Sequence, residues 1–229
     1  MRQFVTEAII LSRIEFGEAD RIITLLTPDH GKLRLIAKGV RRVKSKLAGG
    51  IELFSISDIT YVQGRGEIGT LISTRLVKHY GQIATDIDRT MLGYDLIKQL
   101  NKATEDHPGP EYFELLRDVF EALDNKDMPL LLIRFWFSAQ LLRLGGHTPN
   151  LDIDSHGNKL DAQKAYSFDF ERTCFVESDQ GHYEADGIKF LRLGFGTHGV
   201  KVLAQVSIGA ELIEAVGPLV EQLFRIHNR

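Results

Sequence analysis

Residues 27–46 read TPDHGKLRLIAKGVRRVKSK and contain a turn, a strand and a basic loop in succession. Pro28, Asp29 and Gly31 are turn-forming residues, and the side chains after them alternate between polar and apolar, as in a half-buried strand. We call residues 32–46 the basic segment, because it contains seven basic residues and no acidic one. These residues are Lys32, Arg34, Lys38, Arg41, Arg42, Lys44 and Lys46. The alternation places the first three of them on one face of the strand, opposite Leu33, Leu35 and Ala37.

Strand-like runs surround this stretch throughout the first third of the chain. They cover residues 6–14, 21–27, 32–38, 51–62 and 67–77, and Gly-containing turns join most of them. Five short strands within about 80 residues predict a small closed barrel of the OB type. No helical period separates the runs, so a βαβ arrangement is not predicted.

The hydrophobic period changes to that of helices after Asp86. Ile87, Met91, Tyr94 and Ile97 share one face of the first predicted helix, which Leu92, Leu96 and Leu100 widen. A second amphipathic helix precedes residue 124. A third, residues 130–144, is apolar nearly all round and is predicted to be the buried centre of its domain. The final helical section is predicted to split at Gly217-Pro218, because proline lacks an amide donor.

The chain is therefore predicted to be α+β, with a five-stranded OB-fold barrel followed by an all-helical domain that contains a small loop-rich insertion with one hairpin. The expected segments are a nucleic-acid-binding OB-fold at 1–80 and a helical domain at 84–146. A hairpin insertion at 147–185 and C-terminal helices at 186–229, packed on the helical domain, complete the chain.

Composition restricts the class of protein. Of 229 residues, 43% are hydrophobic and 26% are charged, as in ordinary soluble globular proteins. The longest apolar run, residues 130–137, contains Arg134 and is too short to span a bilayer, and the N-terminus does not have the pattern of a signal peptide. The single cysteine, Cys174, cannot form an internal disulfide. We expect a cytoplasmic, nucleoid-associated protein without contact to membranes.

The formal net charge of −3 conceals an asymmetry. Through Gln82 the chain carries 13 Lys and Arg against 8 Asp and Glu, whereas the remainder carries 15 against 23. A basic first third joined to an acidic remainder indicates an anion-binding module attached to something else.

No motif in the sequence predicts an enzyme. Residues 64–69, GRGEIG, match a dinucleotide-binding fingerprint, but the β-branched residues after them predict a hairpin turn instead of the required helix. The eight histidines have no metal-ligand spacing, although Asp154 and His156 could in principle offer ligands to a metal. Cys174 lies in an apolar strand-like run and is interpreted as a core residue. We predict no catalytic residues, no cofactor and no metal.

The basic segment has two readings. Charge runs are usually solvated loops, but Lys and Arg along a groove also neutralise phosphates, and the neighbouring strand face and loops of OB-folds bind single strands. We favour nucleic-acid binding through all seven basic residues. The aromatic residues near the segment are Phe16, Phe54 and Tyr61, and core packing accounts for Phe54 at least as well as base stacking does. Binding led by the phosphate backbone, with little sequence preference, is therefore expected.

Residues 6–49 also resemble the N-terminus of the RecO family of DNA repair proteins. The resemblance rests on Gly17-Glu18, Thr27, Gly31, Ala37-Lys38-Gly39, Arg41 and Ser45, and continues more loosely to "LLRLGGHTPNLD". It implies an OB-fold, a helical middle domain and a small C-terminal module. The implied role is that of a recombination mediator, which binds single- and double-stranded DNA and anneals complementary strands. The implied partners are RecR and the acidic C-terminal tail of the single-strand-binding protein.

Many members of that family hold zinc with four cysteines in the C-terminal module. This chain has "NLDIDSHG" where the first pair would fall, and the second pair, near "CFVESDQG", is missing too, so no zinc is expected. Arg134 and Arg143 are candidates for the pocket that takes the acidic tail.

The expected function is thus that of a non-enzymatic mediator, which helps to load recombinase on DNA coated by single-strand-binding protein. The alternatives are an OB-type RNA-binding protein, an adaptor whose basic segment binds an acidic protein, and a metal-dependent hydrolase at Asp154 and His156.

Overall fold

The computed structural model describes residues 2–64, 66–105, 107–206 and 209–227. Its internal contacts divide the chain into two compact units, Met1–Asn125 and Lys126–Arg229. This division differs from the four segments expected from the sequence, which remain a prediction. Among the described residues, no helix combines the length and the apolar character that crossing a bilayer requires.

A five-stranded barrel forms the first part of the first unit, and α+β is therefore the correct fold class. Its strands are β1 (Arg2–Phe16), β2 (Asp20–Thr27), β3 (Gly31–Ala37), β4 (Ser55–Gln63) and β5 (Ile68–His79). They close in the order β1-β2-β3-β5-β4, and only β3 and β5 run parallel. The first half of β1 pairs with β4 and the second half with β2, with a register shift between Ile10 and Ser12. The long strand β1 thereby pairs with both of its neighbours in the barrel.

The alternating pattern of the strands decides which side chains fill the barrel. Leu35 and Ala37 are fully buried, whereas Arg34 and Lys38, on the other face of the strand, are exposed. The buried cluster contains Ala8, Ile10, Ile23, Leu25, Leu35, Ala37, Val40, Ile51, Ile59, Tyr61 and Leu71.

Thr27 closes the turn between β2 and β3. Its buried hydroxyl donates to the carbonyl oxygen of Gly31 at 2.9 Å and accepts the amide N–H of His30 at 3.1 Å. Gly31 has a φ of 63°, which few other residues adopt. The threonine and the glycine, four positions apart, are therefore both needed for the tight turn that starts β3.

Two helices complete the first unit: α1 (Ile87–Ala103) and α2 (Pro110–Asp124). The Asp86 carboxylate caps α1 by accepting the amide N–H groups of Asp88 and Arg89.

The face expected for α1 is partly wrong, because Ile87 and Met91 are 73% and 63% exposed. The helix is turned so that it buries Leu92, Leu96, Ile97 and Leu100. The Arg89 guanidinium is buried as well and donates to the Leu123 carbonyl oxygen at 3.1 Å.

Helix α3 (Leu130–Leu144) lies at the centre of the second unit, as its composition predicts. Around it pack α4 (Ala185–Phe195), α5 (Val200–Leu203) and α6 (Gly209–His227). The expected split at Gly217-Pro218 is wrong, since α6 continues through both residues. Buried side chains on either side of the proline, Val216 and Leu219, hold both halves of the helix in the core, and Pro218 itself is exposed.

A three-stranded sheet forms the loop-rich part of the second unit. Its strands are β6 (Asn150–Asp154), β7 (Tyr166–Asp169) and β8 (Cys174–Glu177), in the order β6-β8-β7. The antiparallel pair of β7 and β8 is the predicted hairpin. Strand β6, which pairs parallel to β8, was not predicted.

Candidate nucleic-acid interface

The basic segment starts on β3 and continues into the loop that follows this strand. Gly39, with a φ of 63°, turns the chain away from the barrel, and its amide N–H donates to the Asp20 carboxylate at 2.7 Å. The amide N–H of Arg41 donates to the Ala19 carbonyl oxygen at 3.0 Å. These two bonds hold the start of the loop against the turn between β1 and β2.

Five cations of the basic segment point into solvent. Within the described part of the chain, their side chains have no ion pair and no hydrogen bond. They are Arg34, Lys38, Arg42, Lys44 and Lys46, and all five are exposed. Val43, between two of them, is completely exposed as well. Such a row of unneutralised charges attracts a polyanion, since binding releases the counterions of the polyanion.

Lys32 and Arg41, the other two predicted DNA contacts, have partners within the protein. The Lys32 ammonium donates to the carbonyl oxygens of Asn101 and Thr104, each at 2.7 Å, at the end of α1. A cation there is stabilised by the helix dipole. The Arg41 guanidinium lies 3.4 Å from the Glu15 carboxylate. The structure therefore gives Lys32 a structural contact and places an acidic group beside Arg41.

The aromatic side chains considered for base stacking lie in different environments. Phe54 is buried against Tyr94 and Phe120, with ring centroids 5.2 and 5.6 Å away, and does not face the basic segment. Tyr61 is buried, which raises the pKa of its hydroxyl. Phe16, at the end of β1, is half exposed. Only Phe16 offers substantial ring surface to solvent.

A cleft lies at the opposite end of β3 from the loop, within the first unit. Its volume is about 1010 Å³, and it is bounded by the start of β1, the turn between β2 and β3, and the segment between α1 and α2. Arg34 lines it together with Phe4 and His30. Nothing in the sequence pattern indicated Phe4 or His30, because residues from β1, a turn and a helix end meet only in the folded chain.

The two arginines considered for an acidic peptide do not share a site. They are nine residues apart on α3, which corresponds to about two and a half turns, so they face opposite sides of the helix. Arg134 lines a groove of about 240 Å³ between α3 and α6, beside Phe135 and Ile213. Glu214 and Glu221 line the same groove. The Arg143 guanidinium donates to the Gln140 side-chain oxygen at 2.9 Å.

The residues at the position of the zinc module do not fit a zinc ion. The Asp154 carboxylate accepts the amide N–H groups of His156 and Asn158, at 2.8 and 2.9 Å, and these bonds contribute to a lowered pKa of Asp154. Cys174 is buried on β8. Within the described ranges, no three His, Cys, Asp or Glu side chains come together as ligands. A carboxylate that accepts N–H groups therefore organises the turn after β6.

Comparisons with known proteins agree with this architecture. The family model for the N-terminal part of recombination protein O matches residues 1–80, and the model for its C-terminal part matches residues 84–227. DNA repair protein RecO of Dehalococcoides mccartyi is 34% identical over 149 residues, which are 65% of this chain and 58% of that protein.

Two further relatives have the same name. RecO of Myxococcus xanthus is 35% identical over 157 residues, which cover 66% of this chain and 62% of the relative. RecO of Halalkalibacterium halodurans is 26% identical over 224 residues, which cover 95% of this chain and 87% of the relative. The chain thus spans less than two thirds of the length of several curated relatives that it matches. Since the two family models together account for nearly all of its residues, and the resemblance of residues 6–49 is confirmed, the chain belongs to the recombination protein O family.

Proposed function

We propose that this protein is a DNA-binding recombination mediator that works in DNA repair, on the DNA of the nucleoid. The observation that carries the proposal is the row of five exposed cations, Arg34 to Lys46, in a chain whose relatives are named DNA repair proteins. The ligand is single- or double-stranded DNA, held by its phosphates.

Binding of this kind is strong at low salt and insensitive to sequence, because phosphates are the same along every strand. Neutralised strands repel one another less, while their bases remain free to pair. Annealing of complementary strands follows from these two properties, and no nucleotide or metal takes part.

A triple variant, Arg42→Ala, Lys44→Ala and Lys46→Ala, tests the proposal. We expect weaker binding to every DNA sequence and a flatter dependence of log Kd on log salt. The slope falls by up to about 0.9 for each duplex phosphate contact removed, and by about 0.7 on a single strand. The same variant should also anneal complementary fluorescent oligomers more slowly.

A matched control removes three exposed lysines elsewhere, Lys98→Ala, Lys159→Ala and Lys201→Ala. It changes the net charge by the same amount but leaves the basic segment intact. If both triple variants lose the same affinity, general charge explains binding and the basic segment is not the interface. An RNA competitor of equal sequence, if it displaced DNA completely at equal concentration, would favour the RNA-binding alternative.

The partners belong to the same proposal. The groove beside Arg134 contains apolar side chains, which suit the apolar residues of a peptide such as the tail of the single-strand-binding protein, and Arg134 is the contact assigned to an acidic group of that tail, at a distance from Glu214 and Glu221 that the tail has to keep. Arg134→Ala should weaken binding of a fluorescent tail peptide. Arg143→Ala, on the opposite face of α3, should not, and equal losses would exclude the groove. Association with RecR is tested by co-elution of the two purified proteins in gel filtration.

A further inference from the structure

The cleft at the start of β3 contains three aromatic rings in contact. Phe4 and Tyr61 are stacked, with centroids 5.2 Å apart and an interplanar angle of 19°. The His30 ring lies 5.6 Å from Phe4 and 6.2 Å from Tyr61, at 76° and 78° to them. Because it is nearly perpendicular to both, neither of these rings covers the His30 ring face to face.

Tyr61 is the floor of this cluster, and Phe4 and His30 are its accessible members. Tyr61 is only 3% exposed, whereas Phe4 and His30 are partly exposed and line the cleft. The rings of Phe4 and His30 pack on the buried ring of Tyr61, which limits their movement and gives a rigid aromatic surface. Nucleobases stack on such surfaces.

Arginine side chains lie beside the rings. The Arg2 guanidinium carbon is 5.2 Å from the centroid of Phe4, where its plane can also stack on a base. Arg34 lines the cleft, and within the described residues its guanidinium has no partner. The Lys32 ammonium is hydrogen-bonded at the end of α1, so among the two basic side chains of β3 that line the cleft, Arg34 is the one that can meet a phosphate.

The cleft and the loop of the basic segment lie at opposite ends of β3, and Arg34 belongs both to the lining of the cleft and to the basic segment. Arg34 and Lys38 are four residues apart on the same face, which corresponds to about 13 Å along a strand. A nucleic-acid strand that lies on Lys38, Arg42 and Lys44 can therefore extend along β3 to Arg34 at the edge of the cleft. The size of the cleft is in the range that holds a small organic ligand.

We infer that this cleft takes one unpaired nucleobase of a bound strand, stacked on His30, with the adjoining phosphate on Arg34. The inference rests on the proposed function and deepens it. Bases within a duplex are covered on both faces by their neighbours, so they cannot enter. The phosphates on the basic segment hold either form of DNA, and the cleft adds affinity for single strands only.

The test compares three ligands of equal length: a thymine oligomer, the same oligomer with abasic sites in place of its bases, and a duplex. His30→Ala should weaken binding of the thymine oligomer by about 5- to 150-fold, the range for one stacked base. Binding of the duplex and the abasic oligomer should change less than twofold. The fluorescence of 2-aminopurine in an oligomer should be quenched by the wild-type protein and not by His30→Ala.

His30→Tyr is the matched control, because it restores a ring at the same position and should retain most of the affinity for the thymine oligomer. Thermal unfolding of both variants checks that they fold. Equal losses on all three ligands, or no loss on any, would overturn the base pocket while the proposed function stands. A wild-type protein that binds none of the three at low salt overturns the proposed function itself.

Discussion

The ammonium nitrogen of Lys32 lies 2.7 Å from the carbonyl oxygen of Thr104, the residue directly after α1. A second bond of the same length reaches Asn101, so one lysine of the barrel satisfies two carbonyl groups at a helix end. Helix ends leave such carbonyls without partners inside the helix. Lys32 therefore fixes α1 to β3, although it belongs to a stretch of sequence that indicates DNA binding.

Lys32→Ala should lower the free energy of unfolding by about 1.5–3 kcal/mol, since it removes hydrogen bonds from a charged donor. Arg34→Ala, two residues away on the same face, should change it by less than about 0.5 kcal/mol. Urea unfolding followed by circular dichroism measures both. For DNA affinity at low salt, the order should reverse, with the larger loss in Arg34→Ala. A stable Lys32→Ala protein with strongly reduced DNA affinity would contradict this division of roles.

Asp154→Ala should destabilise the second unit at neutral pH, because it removes the acceptor for the amide N–H groups of His156 and Asn158. Hydrogen bonds to the charged form hold the pKa of Asp154 below its ordinary value of 3.8. The stabilisation is therefore complete above that value and disappears as pH falls through the lower folded-state pKa. Thermal unfolding between neutral and strongly acidic pH should show the two proteins converge in acid.

Asp152→Ala provides the comparison for this variant. Its carboxylate is largely exposed and lies 3.6 Å from the Arg192 guanidinium, so little stability is expected from it. If Asp152→Ala and Asp154→Ala were equally destabilised, the N–H groups around Asp154 would not be the cause.

His227→Gln should make the stability of the second unit less dependent on pH. The rings of His147 and His227 are stacked, with centroids 4.0 Å apart. Burial, and then the charge of His147, hold the pKa of His227 below 6.5. The contribution of the neutral ring is thus complete above the unfolded-state pKa and is lost as pH falls from there through the folded-state pKa. Melting temperatures measured from pH 8 to pH 5 should fall in the wild type and less in the variant.

Gly93→Ala should destabilise the protein, although alanine favours helices by about 1 kcal/mol over glycine. A Cβ atom at this position would lie 2.6 Å from the Cε1 atom of Phe54 and 3.0 Å from its Cζ atom. Displacing a buried ring costs about 1–3 kcal/mol, which outweighs the gain in propensity. Met91→Ala, on the exposed face of α1, is the control and should be nearly neutral in urea unfolding. A more stable Gly93→Ala protein would show that Phe54 moves freely.

Local patterns in the sequence determined the strands and their turns. The alternation in residues 32–38 identifies which side chains enter the barrel, and Leu35 and Arg34 lie on the predicted sides. The apolar character of residues 130–144 identifies a buried helix, because a helix that is buried on all sides requires apolar side chains all round. The exposed cations of the loop were also predictable, because a run of like charges without acids cannot neutralise itself.

Contacts between distant segments decided the rest. Lys32 meets carbonyl oxygens 69 and 72 residues further along the chain, and no short window of sequence contains both partners. The same holds for α1, whose apolar residues cover more than one face, so the core of the unit selected which face to bury. Phe4, His30 and Tyr61 come from a strand, a turn and another strand, and closing the barrel brought their rings together. Periodicity thus determined which side chains of the strands and of α3 are buried. The buried face of α1 and the partner of each side chain followed from tertiary packing, because packing depends on the positions of all elements at once.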